Sequence, residues 1–210
     1  MIRVLIADDH PVVRRGLCQI VAEQSDMSVA GEAADGGEVM HILYREVPDI
    51  LLLDINMPGR SGLEVLREVR QHYPRLPVLV LSVHPEDQIA VRALRAGASG
   101  YLTKDSAPDQ LVHAIRKVTS GGKFLTPAAA EALVGSLQQD AEKLPHEALS
   151  DREYSVFLLL ASGKRVSQIG AGLSLSVKTV STYRTRILDK MNMKTNAELT
   201  RYALLNRLVE

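Results

Sequence analysis

The first 120 residues alternate short, unbroken apolar runs with longer amphipathic stretches. Runs at 2–7, 28–32, 49–53, 76–81 and 100–102 read as five strands. Their Val/Ile/Leu content is continuous and does not alternate with polar residues, as expected of a parallel sheet covered on both faces. Between them, residues 12–23, 37–45, 62–72, 87–96 and 108–120 place apolar residues at helical spacing. Ser61 ahead of Gly62-Leu63, and Ser106-Ala107-Pro108, are helix start signals. Five βα repeats in succession predict an α/β doubly wound fold with a five-stranded parallel sheet.

The pattern loosens after Gly121-Gly122. Residues 127–139 could form one linker helix, and 138–146 are polar and closed by Pro145. Beyond them come four helical patterns and no strand, at 151–162, 166–173, 177–191 and 196–207. The expected organisation is therefore an α/β domain at 1–120, a partly helical linker at 121–147 and an all-α four-helix domain at 148–210. No internal repeat interrupts it.

Charge changes this picture. The chain is formally neutral, with 25 Lys/Arg and 25 Asp/Glu, which on its own argues against a nucleic-acid binder. The neutrality is an average. Residues 1–120 carry 13 Lys/Arg against 16 Asp/Glu, whereas 149–210 carry 10 against 5. Opposite signs in the two halves predict different partners, the second a polyanion. Cys18, the single cysteine, excludes an intramolecular disulfide and sits among apolar helix positions, as core filler would. The six His residues show no close pairing of the kind metal sites use. No apolar run approaches the ~20 residues of a membrane span, and residues 1–7 are too short for a signal core, so a cytoplasmic protein is expected.

The candidate chemistry lies at the strand ends. Asp8 and Asp9 follow the first strand and Asp54 the third. In a doubly wound sheet those ends are neighbours, and three crowded carboxylates need compensation. A hard divalent cation such as Mg²⁺ supplies it and leaves positions open for phosphate oxygens. Asn56 is placed to offer a backbone carbonyl, while Ser82 and Lys104 end the fourth and fifth strands. A hydroxyl and an ammonium beside an aspartate and a metal describe a phosphoryl-binding site with a carboxylate nucleophile.

These pieces, Asp8-Asp9-His10-Pro11, Asp54-Ile55-Asn56-Met57-Pro58-Gly59, Ser82 and the segment from Gly97 to Lys104, resemble the receiver domain of two-component response regulators. The resemblance implies that Asp54 accepts a phosphoryl group from a sensor histidine kinase or phosphotransfer protein, and that Asp8 and Asp9 hold Mg²⁺. It also implies that Ser82 and Lys104 bind phosphoryl oxygens and that Tyr101 is an aromatic switch. Ser82 replaces the commoner threonine but keeps the hydroxyl. Phosphorylation adds about −1.5 to −2 charge. Ser82 and Lys104 would move toward it, and Tyr101 would fill the space from the surface, remodelling the face formed by 84–96 and 101–114.

In the second domain, residues 164–194 carry seven Lys/Arg (Lys164, Arg165, Lys178, Arg184, Arg186, Lys190, Lys194) and one acid, Asp189. Within 177–191, Val180, Tyr183, Ile187 and Met191 make an inward stripe. The opposite face offers Lys178, Ser181, Thr182, Thr185 and Asp189, with Arg186 at its edge. Short hydroxyl side chains between cations suit a helix laid in a major groove. With residues 166–173 and the turn at 174–176 it makes a helix-turn-helix. Leu149-Ser150-Asp151-Arg152-Glu153, Gly163, Ile169, Lys178-Thr179-Val180, Ile187, Lys190 and Met191 resemble the LuxR/FixJ-type DNA-binding domain. The whole chain is similar to the NarL/FixJ class of response regulators. Tyr183 stands where that family commonly has histidine, and Ser181 where it often has lysine.

The candidate DNA-contacting residues are Lys178, Thr179, Ser181, Thr182, Thr185, Arg186 and Lys190. By the same resemblance, residues 196–207 would form a dimerising helix through Leu199, Tyr202, Ala203 and 205–208. The implied protein is a transcription regulator, not an enzyme, acting on double-stranded DNA as a phosphorylation-promoted homodimer. A rival is a receiver fused to a protein-interaction module, which salt-dependent DNA binding would separate. A flavodoxin-like enzyme lacks its glycine-rich phosphate loop here, and an acyl-homoserine-lactone sensor would need an apolar ligand cavity in place of the receiver.

Overall fold

The computed structural model describes residues 1–82, 88–105, 107–138, 144–173, 175–206 and 208–209. The chain divides into two units, Met1–Ser136 and Leu137–Glu210. In the first, strand and helix alternate: β1 (Ile2–Ala7), α1 (Pro11–Ala22), β2 (Met27–Ala33), α2 (Gly36–Arg45), β3 (Ile50–Asp54), α3 (Gly62–His72), β4 (Val78–Ser82), α4 (Gln88–Arg95), β5 (Gly100–Thr103) and α5 (Ala107–Thr119). A sixth helix, α6 (Pro127–Gln138), follows. The sheet is wholly parallel in the order β2-β1-β3-β4-β5. The chain leaves β1 toward one edge and returns at β3 toward the other. The crevice at that switch point lies beyond the carboxyl ends of β1 and β3.

Side chains alternate across the strands, so each run covers two cores. Val4, Ile6, Ile50, Leu52, Leu79, Leu81 and Leu102 pack with Leu17 and Val21 of α1 and with Leu111, Ala114, Ile115 and Val118 of α5. Leu5, Leu51, Leu53, Val78 and Val80, equally buried, point to the other face. The free edge of β5 is covered: the amide of Tyr101 donates to the carbonyl of Phe124 (3.1 Å), and that of Phe124 to Ser99 (3.1 Å). Capping in this way removes an edge that could recruit another strand.

β1 coincides with its apolar run, while the other four strands differ from theirs by a residue or two. β3 extends to Asp54 and β4 to Ser82, because parallel ladder bonds persist past the last apolar residue. Asp54 pairs in register with Leu81, and Ser82 with Thr103. The expected helix start at 106 and the face at 84–87 lie outside the described residues.

The second unit contains a 3-10 turn (Pro145–Ala148), α7 (Asp151–Ala161), α8 (Val166–Gly172), α9 (Val177–Lys190) and α10 (Asn196–Leu205). The turn at Pro145 belongs to this core, since His146 is buried and its Nδ1 lies 2.6 Å from the Tyr202 hydroxyl. Tyr154, Phe157 and Tyr202 complete an aromatic cluster around it. Of the stripe expected on α10, Leu199 and Ala203 are fully buried and Tyr202 is half-buried, while Leu204 and Leu205 are the large apolar side chains of that helix left exposed. Residue 207 lies outside the described residues.

Gly62 places α3 under the site. A Cβ there would lie 2.1 Å from the carbonyl oxygen of Asp54 and 2.7 Å from Ile55 Cα. The Gly62 amide donates to Ile55 O at 2.8 Å. Gly62→Ala is therefore expected to destabilise the fold by about 1–3 kcal/mol, the usual range for overpacking. Gly16, in α1, serves as the contrast, because a methyl group there would meet nothing within 4 Å. Gly16→Ala should stabilise by up to about 1 kcal/mol through helix propensity. Denaturant melts of both variants check the pair; equal effects of the two would contradict the close approach.

Candidate functional site

At the switch point the structure brings together Asp8, Asp9, Asp54, Ser82 and Lys104. Asp8, Asp54 and Ser82 are fully buried, and Asp9 is half-buried. Lys104 Nζ lies 2.7 Å from Asp54 Oδ2 and 2.7 Å from Asp8 Oδ2. The Lys104 amide donates to the Ser82 carbonyl (2.7 Å), which seats the start of the β5–α5 loop against β4. The Asn56 amide donates to Asp54 Oδ1 (3.0 Å), so the nucleophile candidate is held from both sides. The His10 amide donates to Asp8 Oδ1 (2.8 Å), and the Arg14 guanidinium to the Asp8 carbonyl (2.6 Å).

One ammonium among three carboxylates leaves an excess of two negative charges. Burial pushes the Asp54 carboxyl above the ordinary carboxylate value and the Asp8 charge adds to it; Lys104 opposes both without cancelling them. Burial pulls Lys104 down, but Asp54 and Asp8 outweigh it and hold the ammonium above its usual value. Asp8 Oδ2 and Asp9 Oδ1 are buried without a hydrogen-bond partner. Each does lie 2.7 Å from a nitrogen as an ion-pair contact, Lys104 Nζ and His10 Nδ1 respectively. Ligand atoms of Asp8, Asp9, His10 and Asp54 all fall within 4.8 Å of one another. Buried oxygens short of donors, with a charge deficit of two, fit a hard divalent cation.

His10 is the neighbour that sequence reasoning misses, since a search for paired histidines overlooks one that accompanies carboxylates. Tyr101 departs from expectation. The resemblance has it entering from the surface, yet among the described residues it is the largest of the fully buried side chains. On β5, opposite Val80, its ring already takes the interior position that favours a large aromatic area.

In the second unit, α8, the turn and α9 form the helix-turn-helix. Gly170 permits its tightness, because a Cβ there would lie 2.7 Å from the Leu175 carbonyl. Ser176 caps α9 by accepting from the Thr179 amide (3.0 Å), and its hydroxyl meets that of Thr179 at 2.7 Å. On α9 the structure exposes Lys178, Ser181, Thr182, Thr185, Arg186, Asp189 and Lys190, and buries Val180, Ile187 and Leu188. Thr182 and Thr185 donate to the Lys178 and Ser181 carbonyls (3.0 and 3.2 Å), which fixes their hydroxyls along the exposed face. Thr179 is tied into the cap, and Lys190 donates to Glu153 Oε2 (2.6 Å).

The raised carboxyl of Asp54 has a measurable consequence in divalent-free buffer. The folded chain holds that proton to higher pH than the unfolded chain, so this group's contribution to stability falls as pH rises from the ordinary value of 3.8 through the raised one. Asp54→Asn should therefore melt above wild type at pH 7, with the gap closing as pH falls through the carboxylate range. A variant less stable than wild type at pH 7 would contradict the assignment.

Comparison with known proteins agrees with this geometry. Residues 4–116 match the response regulator receiver domain family, and residues 147–203 match the bacterial regulatory proteins of the luxR family. The chain is 38% identical over 210 residues to the response regulator GacA of Pseudomonas protegens, covering 100% of this chain and 99% of that one. It is 34% identical over 209 residues to the response regulator UvrY of Escherichia coli, covering 99% and 96%. Among solved structures, Salmonella typhimurium RcsB aligns over 97% of this chain and 98% of its own, at 26% identity and TM-score 0.59. RcsB in a DNA complex aligns over 96% of each chain, at 26% identity and TM-score 0.61. Among the described residues no helix is long and apolar enough to cross a membrane. The chain belongs to the NarL/FixJ class of two-component response regulators, transcription regulators in which a receiver domain precedes a LuxR-type DNA-binding domain.

Proposed function

We propose that Asp54 is the phosphoacceptor, and that its phosphorylation by a sensor histidine kinase or phosphotransfer protein governs dimerisation and sequence-specific DNA binding. The observation that carries this is Lys104 Nζ, 2.7 Å from both Asp54 and Asp8. A buried ammonium already touching the nucleophile is where an incoming phosphoryl oxygen needs positive charge. In the transfer, an Asp54 oxygen forms the new bond to phosphorus. The donor's nitrogen–phosphorus bond breaks, and its imidazole leaves with the electron pair and takes up a proton. Lys104 and the Ser82 hydroxyl bind phosphoryl oxygens. Asp8, Asp9, Asp54 and the Asn56 carbonyl would hold Mg²⁺, which when bound supplies charge neutralisation for the phosphoryl group. The activity is regulatory, not enzymatic turnover, and its place is the cytoplasm.

Phosphorylation moves the negative charge from the Asp54 carboxylate out onto the phosphoryl oxygens and increases it, so Lys104 would follow those oxygens. Tyr101, on the strand that leads to Lys104, feels that displacement directly. The signal is read out as dimer formation, with DNA engaged by α9. The solved RcsB–DNA complex supports DNA as the partner through likeness alone.

Incubation with a small phosphodonor and Mg²⁺ should add one acid-labile phosphoryl group per chain. Asp54→Asn should take up none, and Asp9→Ala should lose Mg²⁺-dependent labelling. Sedimentation should show the phosphorylated protein self-associating and its affinity for duplex DNA rising. A full equivalent of label on Asp54→Asn would overturn the assignment.

For α9, Lys178 and Arg186 meet phosphates, while Ser181, Thr182 and Thr185 lie nearer base edges. Lys178→Ala or Arg186→Ala should weaken specific and random duplexes alike and flatten the salt slope by about one unit per lost contact. A bulky residue at Thr182 or Thr185 should cost roughly 1–3 kcal/mol on the preferred site alone. Competition titrations at several salt concentrations check both; equal losses on both duplexes for the threonine variants would mean a different face of α9 enters the groove.

A further inference from the structure

The first turn of α7 grips the recognition unit at two places. Buried Arg152 donates from Nη2 to the Leu173 carbonyl (3.0 Å), in the turn that precedes α9. Its neighbour Glu153, also buried, accepts from Lys190 Nζ at 2.6 Å, on the last turn of α9. The same Glu153 oxygen accepts from the Ser150 amide (2.8 Å), while the Ser150 hydroxyl accepts from the Glu153 amide (3.4 Å). The capping box thus fixes the carboxylate before Lys190 reaches it. The Lys190 side chain is 42% exposed, yet its charge ends on a side chain that is 4% exposed. Burial alone would push the Glu153 carboxyl up; Lys190 and Ser150 together hold it below the ordinary range.

We infer that Lys190 is a positioning residue, which locks the end of α9 onto α7 and so sets the angle at which α9 meets DNA, and is not a phosphate contact. The inference rests on the proposed reading of α9 as the groove-facing helix. A phosphate drawing Lys190 away would strand a buried carboxylate, which is strongly unfavourable. Lys178 and Arg186 face solvent on the same helix and carry no such obligation toward Glu153. Arg152 and Glu153, adjacent in sequence, therefore brace α9 at its approach and at its end.

The test uses the full-length phosphorylated protein, a random-sequence duplex, and the tightest duplex recovered from a random pool. Lys190→Met, Lys190→Arg, Glu153→Gln, the Lys190→Met/Glu153→Gln double variant and Lys178→Ala are titrated across salt concentrations. Glutamine keeps the capping-box acceptor while losing the charge, which guards against simple unfolding. Lys190→Met should bind the selected duplex about tenfold more weakly, bind random duplex nearly as wild type does, and keep the wild-type salt slope. Lys190→Arg should recover most of the loss. Glu153→Gln should reproduce it, and the double variant should lose no more than either single one. A salt slope flattened by about one unit in Lys190→Met, with Glu153→Gln unaffected, would overturn the inference. Should Lys178→Ala also leave the slope unmoved, the failure belongs to the DNA reading of α9 itself.

Discussion

Lys104 sits between two carboxylates that water cannot reach, and most of what the first domain does follows from that contact. Asp8 and Asp54 are both fully buried, and each places an oxygen 2.7 Å from the one ammonium. An isolated buried carboxylate would neutralise itself by taking a proton. Here two compete for one cation, and Asp54 remains a reluctant anion. Such a site is stable enough to persist and deficient enough to welcome positive charge. The same deficit that makes the carboxylates costly in the resting fold is what the proposed divalent ion would relieve, and Lys104 is the cation the proposed phosphoryl group would meet.

The sheet exists, in functional terms, to hold that deficit in place. Parallel strands covered on both faces present their carboxyl ends to one crevice, and residues as far apart as Asp8 and Lys104 meet there without any long loop. Gly62 shows how little slack remains, since a methyl at that position would collide with the Asp54 carbonyl. The helical domain repeats the logic on a smaller scale. Glu153 is buried, fixed by a cap, and satisfied by a single lysine from the helix it must orient. In both domains a buried acid and a lysine connect segments distant in sequence, and in both the acid's burial gives the pair its authority over geometry.

Much of this is legible along the chain. Continuous apolar runs mark the parallel strands, and because Asp8, Asp9, Asp54, Ser82 and Lys104 all fall at strand ends, their convergence follows from topology before any coordinate. The inward stripe of α9 follows from helical spacing, with Val180, Ile187 and Met191 buried. Features resting on long-range pairing are not legible. The turn at Pro145–Ala148 reads as linker because its polar composition hides a histidine that becomes core only when Tyr202 closes over it, 56 residues later. Lys190 reads as one more cation on a basic face, since nothing local discloses that Glu153 lies beneath it. Tyr101 is expected at the surface by likeness, whereas its ring is interior.

Lys104 occupies the charge deficit that a divalent cation would fill, so the two compete for the same oxygens. A calorimetric Mg²⁺ titration of the wild-type protein and of Lys104→Met, with circular dichroism to establish that the variant is folded, tests this most directly. Wild type should take one ion per chain, and Lys104→Met should take one ion at least about tenfold more tightly, a gain of about 1.4 kcal/mol. Unchanged or weaker Mg²⁺ binding in the variant would contradict the claim that this ammonium and the cation answer the same buried carboxylates.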